Sequence, residues 1–247
     1  MEALSHPSPL VEAVNALLGP LGLHVPDYLV FCALIALIVG VVGLMVRSKL
    51  SVDNPGKLQI FLEDITTFIV AQLENAIGEG KGRKYLALCG GVFVFILLGN
   101  LMGQIPGLGA PTGNLNVPFG CAITVWLYYH WQGIRAQGLG RYLLHFAFPP
   151  GVPKAMFILM LPIELISHSS RVLSLTLRLF GNIFGEHLVV LILASIVPFL
   201  VPLPIQFLGL IVGPLQAFIF LILGAIYLTA ATHVDDHGDD FSPEHAH

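Results

Sequence analysis

Ionisable and amide side chains recur within the most apolar stretch of this chain, between residues 155 and 234. A charge at the centre of a bilayer costs about 2.5–3.5 kcal/mol on insertion scales, so such residues line a polar path or meet a partner. On a helix that turns about 100° per residue, most of them fall within a stripe about 80° wide. The spacing predicts an ion path on one helix face, formed by Glu164, His168, Arg171, Arg178, Asn182 and Glu186.

The composition indicates the environment of that path. The chain has 247 residues, of which 55% are hydrophobic and 11% are charged, whereas about 25% are charged in soluble domains. Mean hydropathy is +0.83. We therefore predict an integral membrane protein within the lipid bilayer. The net charge of −4 and the lack of a basic face give no indication of nucleic-acid binding.

Enzyme and cofactor chemistry has no support in the sequence. No phosphate-binding loop, nucleophile triad or metal-ligand spacing occurs, so we predict no cofactor, no metal site and no catalytic residues. Cys32, Cys89 and Cys121 lie in separate apolar runs and are predicted to be small buried side chains rather than a disulfide or metal site.

The predicted fold is a single all-α integral membrane domain covering residues 1–247. It has three transmembrane helices, one amphipathic surface helix and a long, strongly tilted two-helix hairpin. In chain order the predicted segments are span 1 (28–46), the surface helix (53–80), span 2 (85–105), span 3 (116–134), the hairpin helices (155–197 and 202–233) and an acidic tail (234–247).

The hairpin helices are too long for upright spans. The first would be about 65 Å long and the second about 48 Å, against about 30 Å of hydrocarbon. The first helix must therefore tilt steeply, bend near Pro162 or Gly181, or divide into two spans. We expect a strongly inclined hairpin that packs along another protein surface.

The distribution of basic residues predicts the orientation. Of the eleven Lys and Arg residues, six lie between spans 1 and 2, and three lie between span 3 and the hairpin. By the positive-inside rule both loops are cytoplasmic, which places the N-terminus outside and the C-terminus in the cytoplasm. The tail contains His233, His237, His245 and His247, but we predict no physiological metal site there. Aromatic anchors at a membrane interface are predicted at Trp126, Tyr128, Tyr129 and Trp131.

Two sequence blocks carry a family resemblance. The stretch from Pro162 to Val190 and the run from Leu215 to Leu228 together resemble subunit a of the rotary F-type ATP synthases. The combination of Arg178-Leu179-Phe180-Gly181-Asn182 with Leu215-Gln216-Ala217-Phe218 is highly specific for that family. The resemblance covers the whole hairpin, and the order of the preceding segments agrees with it.

The resemblance implies a non-catalytic stator subunit that forms two offset aqueous half-channels. These would pass protons to and from the essential carboxylates of a rotating ring of small proteolipid subunits, and so couple proton flow to ATP synthesis. The implied partners also include the peripheral stalk subunits and other ATP synthase subunits. The implied location is the bacterial plasma membrane, that is, the cell inner membrane, with several membrane crossings.

The resemblance also implies roles for individual residues. Arg178 matches the indispensable arginine that faces the ring. The half-channel to the cytoplasm corresponds to Glu164, Ser167 and Ser174, and the outer half-channel to Asn182, Glu186, His187 and Gln216. The chain departs from some relatives at two positions: Gly209 stands where they have a histidine or an acid, and Asn114 where they have an acid.

Elementary chemistry agrees with these roles. An arginine stays protonated at any biological pH, so Arg178 can attract a ring carboxylate but cannot relay protons. Carboxylates and histidine exchange protons near neutral pH when their surroundings shift them. Glu164 and Glu186 would lie about 21 and 12 Å from Arg178 along the helix, on opposite sides of it.

Several alternatives remain open from sequence. Arg171 could be a structural partner of Glu164 or part of the polar lining, and His168 a hydrogen-bonded packing residue or a proton carrier. Asn182 and Gln216 could serve helix structure or helix packing. The rival functions are a secondary ion transporter with midplane ionisable residues and a structural membrane scaffold. The absence of an inverted repeat disfavours the transporter, and the intramembrane arginines disfavour the scaffold.

Overall fold

The computed structural model describes residues 9–19, 24–105, 107–140, 142, 157–196 and 202–232. Within these ranges the chain is helical and contains no strand, which confirms the predicted all-α class. A short 3₁₀ turn covers Pro111–Gly113. The helices are α1 (Pro9–Leu18), α2 (Asp27–Ser48), α3 (Lys57–Ile77), α4 (Gly82–Gly103), α5 (Asn116–Gln137), α6 (Phe157–Ile196) and α7 (Pro202–Thr232).

Four of the described helices are long and apolar enough to cross a membrane. They are α2, α4, α7 and the part of α6 from Pro162 onward. Helix α5 is of similar length but more polar, because it includes Asn116, His130 and Gln132. It packs against both α6 and α7, and Gln132 is buried, whereas Asn116 is exposed. The apolar helices identify a multi-pass membrane protein.

Helix α6 is continuous from Phe157 to Ile196 and spans 40 residues. Division into two spans, one of the options open from the sequence, does not occur. The helix is about 60 Å long and α7 about 46 Å, and the two pack against each other. Pro162 lies inside α6 and Pro214 inside α7. Each removes one backbone donor, yet neither ends its helix.

The main apolar core lies where α3, α4, α5, α6 and α7 meet. Leu179 and Ile183 of α6 are fully buried in it, next to Phe220 and Leu221 of α7. Leu179 follows Arg178 directly, and the two side chains point about 100° apart around the helix. The core therefore fixes the rotation of α6 that leaves Arg178 on a more open face.

A buried hydrogen-bonded network joins α4 to α7. The Asn100 side-chain amide donates to the carbonyl of Gly213 over 2.9 Å, and its oxygen accepts from the Thr112 hydroxyl over 2.7 Å. Asn100 and Thr112 are almost completely buried. A Cβ at Gly213 would press on the Cβ of Asn100, so the glycine permits this close approach.

Helix α3 is shorter than the predicted range 53–80. Residues before Lys57 are not helical, and the helix ends at Gly78, whose φ of 110° is readily adopted by glycine. One face of α3 is buried through Ile69, Leu73 and Ile77, while Glu63 and Asp64 are exposed. Glu74 is half-buried, and its side chain packs against Gly82 at the start of α4.

The predicted interfacial aromatic cluster is only partly correct. Trp131 is exposed, as an interfacial anchor would be. Tyr129 is fully buried, and its hydroxyl is hydrogen-bonded to His168. The reason is periodicity: the two residues point in very different directions on α5, one outward and one toward α6. The acidic tail and its histidines lie outside the described residues.

Candidate functional site

Arg178 lies on a half-buried position of α6, among exposed leucines. Leu173 and Leu177 on the same helix are 56% and 58% exposed. The guanidinium donates one long hydrogen bond of 3.5 Å to the hydroxyl of Ser174, one turn earlier. Among the described residues, no carboxylate lies within salt-bridge distance of it. Arg178 is therefore a cation whose charge is not compensated by this part of the chain.

Asn182 and Gln216 form a direct link between the two hairpin helices. The amide nitrogen of Asn182 donates to the side-chain oxygen of Gln216 over 2.9 Å. Asn182 lies one turn after Arg178, and Gln216 is buried at 3% exposure. The sequence left open whether these two amides serve structure or the polar path. The hydrogen bond shows that they at least join α6 to α7 beside the arginine.

Glu186 occupies a notch in α7 that is created by the absence of a side chain at Gly209. A Cβ at Gly209 would collide with the carboxylate of Glu186. The side-chain amide of Gln104, at the end of α4, donates to Glu186 Oε1 over 2.8 Å. The carboxylate is thereby held between α4 and α7. Gly209 stands where some relatives have a histidine or an acid. In this chain the carboxylate of Glu186, from α6, occupies the space that a side chain at position 209 would fill.

A cavity of about 280 Å³ opens beside this carboxylate, between α6 and α7. Its polar lining is supplied by Asn182 and Glu186, and the rest is apolar or glycine: Gly185, Val189, Ile205, Leu208, Gly209 and Val212. The volume exceeds that of several water molecules, each of which occupies about 30 Å³ in the liquid. A carboxylate and an amide at its wall can hydrogen-bond to water entering it.

His187 is adjacent to Glu186 in sequence but faces a different neighbour. Its Nδ1 lies near Gly113 in the 3₁₀ turn, where a Cβ would come within 3.7 Å of it. Asn114, the other position that departs from some relatives, directly follows this turn. Its side-chain oxygen accepts a hydrogen bond from the backbone N–H of Asn116 over 3.1 Å. Glu186 and His187 therefore face neighbouring surfaces and do not form one pair.

A second polar group lies near the start of α6. His168 Nε2 is 3.2 Å from Glu164 Oε1, and His168 Nδ1 is 2.8 Å from the hydroxyl of Tyr129 on α5. Ser167 is half-buried beside this group, and its carbonyl accepts from the Ser170 hydroxyl over 2.7 Å. The sequence placed Glu164 and His168 on one face correctly, but Tyr129 was not identified as their neighbour.

Arg171 does not form the ion pair with Glu164 that the sequence left open. Its guanidinium lies over the ring of Tyr227 on α7, 4.9 Å from the ring centroid. Glu164 instead contacts His168, and this is the only contact between an acid and a basic side chain at salt-bridge distance in the described part of the chain. A stacked guanidinium of this kind is attracted by the ring face and keeps its charge.

The predicted stripe on α6 therefore resolves into separate groups with different neighbours. His168 meets Tyr129 of α5, and Arg171 lies between Tyr227 of α7 and Tyr129 of α5. Arg178 faces outward, and Glu186 is held by α4 and α7. Sequence analysis missed Gln104, Tyr129 and the buried Asn100. Asn100 was detectable as an amide within an apolar span. Gln104 and Tyr129 had no local signal, because their roles depend on contacts across 82 and 39 positions of the chain.

Comparison with known proteins identifies the family. The model of a family described as the ATP synthase A chain matches residues 29–229, which includes every group described above. The chain belongs to the ATP synthase A chain family. Within it, a protein of Solibacter usitatus named ATP synthase subunit a is 41% identical over 227 residues, which cover 90% of this chain and 96% of the relative.

Further relatives in the ATP synthase A chain family carry the same name. One from Campylobacter jejuni subsp. jejuni serotype O:6 is 40% identical over 214 residues, covering 86% of this chain and 93% of the relative. One from Nitratidesulfovibrio vulgaris is 46% identical over 189 residues, covering 76% of this chain and 78% of the relative. The similarity therefore covers between 78% and 96% of the length of these three bacterial proteins.

Proposed function

We propose that this chain is the stator proton-channel subunit of an F-type ATP synthase. It forms two offset half-channels that carry protons to and from carboxylates on a rotating ring, and it couples proton flow to ATP synthesis without catalysing the chemistry itself. The proposal rests on family membership and on one structural observation: Arg178 is an uncompensated cation on an exposed apolar face.

The environment of Arg178 supports an anionic partner. An arginine keeps its proton at any biological pH, and burying its charge in lipid is costly. The exposed leucines beside it favour contact with an apolar surface, and the guanidinium favours a carboxylate within that surface. Attraction at 4 Å is about 4 kcal/mol at an effective dielectric constant of 20. That is sufficient to favour an ionised ring carboxylate and weak enough to be broken at each step of rotation.

The outer half-channel is assigned to the groups on the C-terminal side of Arg178. The cavity beside Glu186 provides space for water, and Asn182 and Gln216 extend polar atoms toward the arginine. His187 supplies a second exchangeable group nearby. The driving free energy is about 2.3 kcal/mol per proton for each 100 mV across the membrane.

The inner half-channel is assigned to the groups on the N-terminal side of Arg178. Ser174 contacts the guanidinium, and Ser167, His168 and Glu164 continue along the helix toward the predicted cytoplasmic end. Arg171, which stacks on Tyr227, contributes a fixed positive charge to this half. Arg178, the fixed cation between the two half-channels, repels protons that would otherwise leak directly across.

The proposed partners follow from this role: a ring of small proteolipid subunits, the peripheral stalk and other subunits of the ATP synthase. The proposed location is the bacterial plasma membrane, with the N-terminus outside and the C-terminus in the cytoplasm. The exposed apolar surface of α2 is assigned to lipid, because helix surfaces in a bilayer require no polar cover.

The proposed orientation predicts the accessibility of α3. Cysteines that replace Glu63 or Asp64, both exposed, are expected to react with an impermeant thiol reagent in inverted vesicles, where the cytoplasmic face is outward. The reason is that α3 lies in the connection between spans 1 and 2, whose basic residues place it on the cytoplasmic side. A cysteine at the buried Leu73 serves as the unreactive control. Labelling of 63 and 64 in right-side-out vesicles alone would invert the proposed topology.

The notch at Gly209 gives a second prediction. Gly209→Ala is expected to push the Glu186 carboxylate off Gln104, because the new Cβ takes the space that the carboxylate fills. Assembly is expected to persist, since the displaced atoms are at the end of a flexible side chain. ATP-driven proton pumping is expected to slow about twofold, well below the about 10²–10⁴-fold effect of general acid–base groups, because His187 still sustains part of the flow. The matched control is Gly40→Ala, where a Cβ meets nothing within 4 Å. Equal pumping by both variants would remove Glu186 from the path.

Purification from the native membrane tests the function against its rival. The proposed function predicts that a tagged chain brings down a ring of small proteolipids together with the soluble sector that hydrolyses ATP. A secondary ion transporter would purify alone or as copies of itself. Recovery of the chain without any proteolipid, under conditions that keep a known ATP synthase intact, would overturn the proposal.

A further inference from the structure

The imidazole of His168 is held at both of its ring nitrogens. Nε2 faces Oε1 of Glu164 at 3.2 Å, and Nδ1 faces the hydroxyl of Tyr129 at 2.8 Å. The His168 side chain is 11% exposed, the Glu164 side chain is 35% exposed, and Tyr129 is 1% exposed. The three residues thus form a chain that runs from a half-open carboxylate to a fully buried phenol.

We propose that Tyr129 is a positioning residue that fixes the His168 ring against Glu164, so that the carboxylate and the imidazole bind and release a proton as one unit. This inference rests on the proposed function, because it assigns the unit to the inner half-channel. It adds a residue of α5, a helix to which neither sequence block of the family resemblance extends.

A phenol suits this position because it can both donate and accept a hydrogen bond. When His168 is neutral, the Tyr129 O–H donates to Nδ1, which keeps the ring proton on Nε2, directed at the Glu164 carboxylate. When the imidazole gains a proton, Nδ1–H donates to the phenol oxygen instead. The proton count of the unit changes by one, Tyr129 keeps its own proton throughout, and the ring orientation is the same in both states.

The surroundings of the ring define which charges act on it. On its own helix these are Glu164 and Arg171, with Arg171 three residues further on. From α5 they are Tyr129 and His130, whose ring centroid is 5.1 Å from that of His168. Tyr227 of α7 lies below Arg171, and Tyr142 is hydrogen-bonded to His130. Glu164 is the one acid in this set. Its side chain is more exposed than Tyr129, the other residue hydrogen-bonded to His168 above.

A purely structural role for Tyr129 makes a different prediction from a positioning role. Phenylalanine keeps the ring and the packing against α6 but removes the hydroxyl. Loss of packing would slow assembly or lower stability. Loss of the hydrogen bond alone would leave the complex assembled and change how the pumping rate depends on pH, because the ring would no longer be fixed toward Glu164.

The test uses the whole ATP synthase in inverted vesicles. We expect Tyr129→Phe to assemble, to slow ATP-driven proton pumping at least about threefold, and to shift the pH of half-maximal rate by about half a unit or more. In a Glu164→Gln background the same change is expected to add no further slowing, because the unit is already broken. The matched control is Tyr128→Phe, one residue away on α5, where the phenol ring lies against Tyr85.

Two results separate this inference from the function on which it rests. Wild-type rate and pH profile in Tyr129→Phe, with slowed pumping in Glu164→Gln, would overturn the inference and leave the half-channel in place. Wild-type pumping in both variants would remove the inner half-channel from this region altogether. If Tyr129→Phe does not assemble, His168→Phe provides the second variant, with the same slowing expected and wild-type pumping again overturning the inference.

Discussion

Replacement of Arg178 by alanine is expected to abolish ATP-driven proton pumping while leaving the ATP synthase assembled. The side chain makes one long hydrogen bond, to Ser174, and meets no carboxylate within the described residues, so its removal costs this chain little internal stability. What is lost is the fixed charge that we propose attracts a ring carboxylate and displaces its proton. The measurement is acidification of inverted vesicles on addition of ATP, with subunit content checked by gel.

Two further variants sharpen this result. Arg178→Lys is also expected to fail, because an ammonium is a compact point charge without the planar fork of donors. Arg47→Ala removes a charge of the same kind at the exposed end of α2 and is expected to pump normally. Pumping at the wild-type rate by an assembled Arg178→Ala complex would exclude the proposed role of this residue.

Simultaneous replacement of Glu186 and His187 by leucine is expected to slow proton flow by roughly a hundredfold, the lower end of the range for general acid–base groups. The double variant removes the two exchangeable groups that we assign to the outer half-channel. The amides of Asn182 and Gln216 cannot take their place, because they do not titrate near neutral pH. Passive proton conductance of vesicles stripped of the soluble sector measures this effect directly.

The single variants are the matched controls for the double one. Glu186→Leu leaves His187 next to the 3₁₀ turn, and His187→Leu leaves Glu186 in the notch at Gly209. Because the two groups line neighbouring surfaces, each is expected to sustain a substantial part of the flow through water in the cavity between α6 and α7. Normal conductance in the double variant would contradict the outer half-channel assignment.

The sequence predicted the all-α class well because it depends on local signals. The ends of the long apolar runs, which are marked by helix-breaking residues, lie close to the observed helix ends. The predicted ranges 155–197 and 202–233 enclose α6 and α7. Periodicity alone also placed the polar residues of α6 on one face. It could not show that this face meets different partners along its length, since that depends on how α4, α5 and α7 cross it.

The residues missed by sequence analysis illustrate the limit. Gln104 lies at the end of an apolar span, where polar residues are ordinary, yet it holds Glu186. Tyr129 was grouped with interfacial aromatics, because a tyrosine near a predicted membrane boundary usually serves there. Only the packing of α5 against α6 brings it to His168. Gly209 was noted as a missing polar group, whereas in space it is the site that accommodates Glu186.

The most direct test of the central claim is the side from which each half of α6 meets water. Single cysteines at 164 and at 186 are introduced into a chain without other cysteines, and silver ion or a small thiol reagent is applied to one side of sealed vesicles at a time. We expect inhibition of proton flow from the cytoplasmic side only for 164 and from the outer side only for 186, because the two lie on opposite sides of Arg178. Reaction of both cysteines from the same side would contradict two offset half-channels.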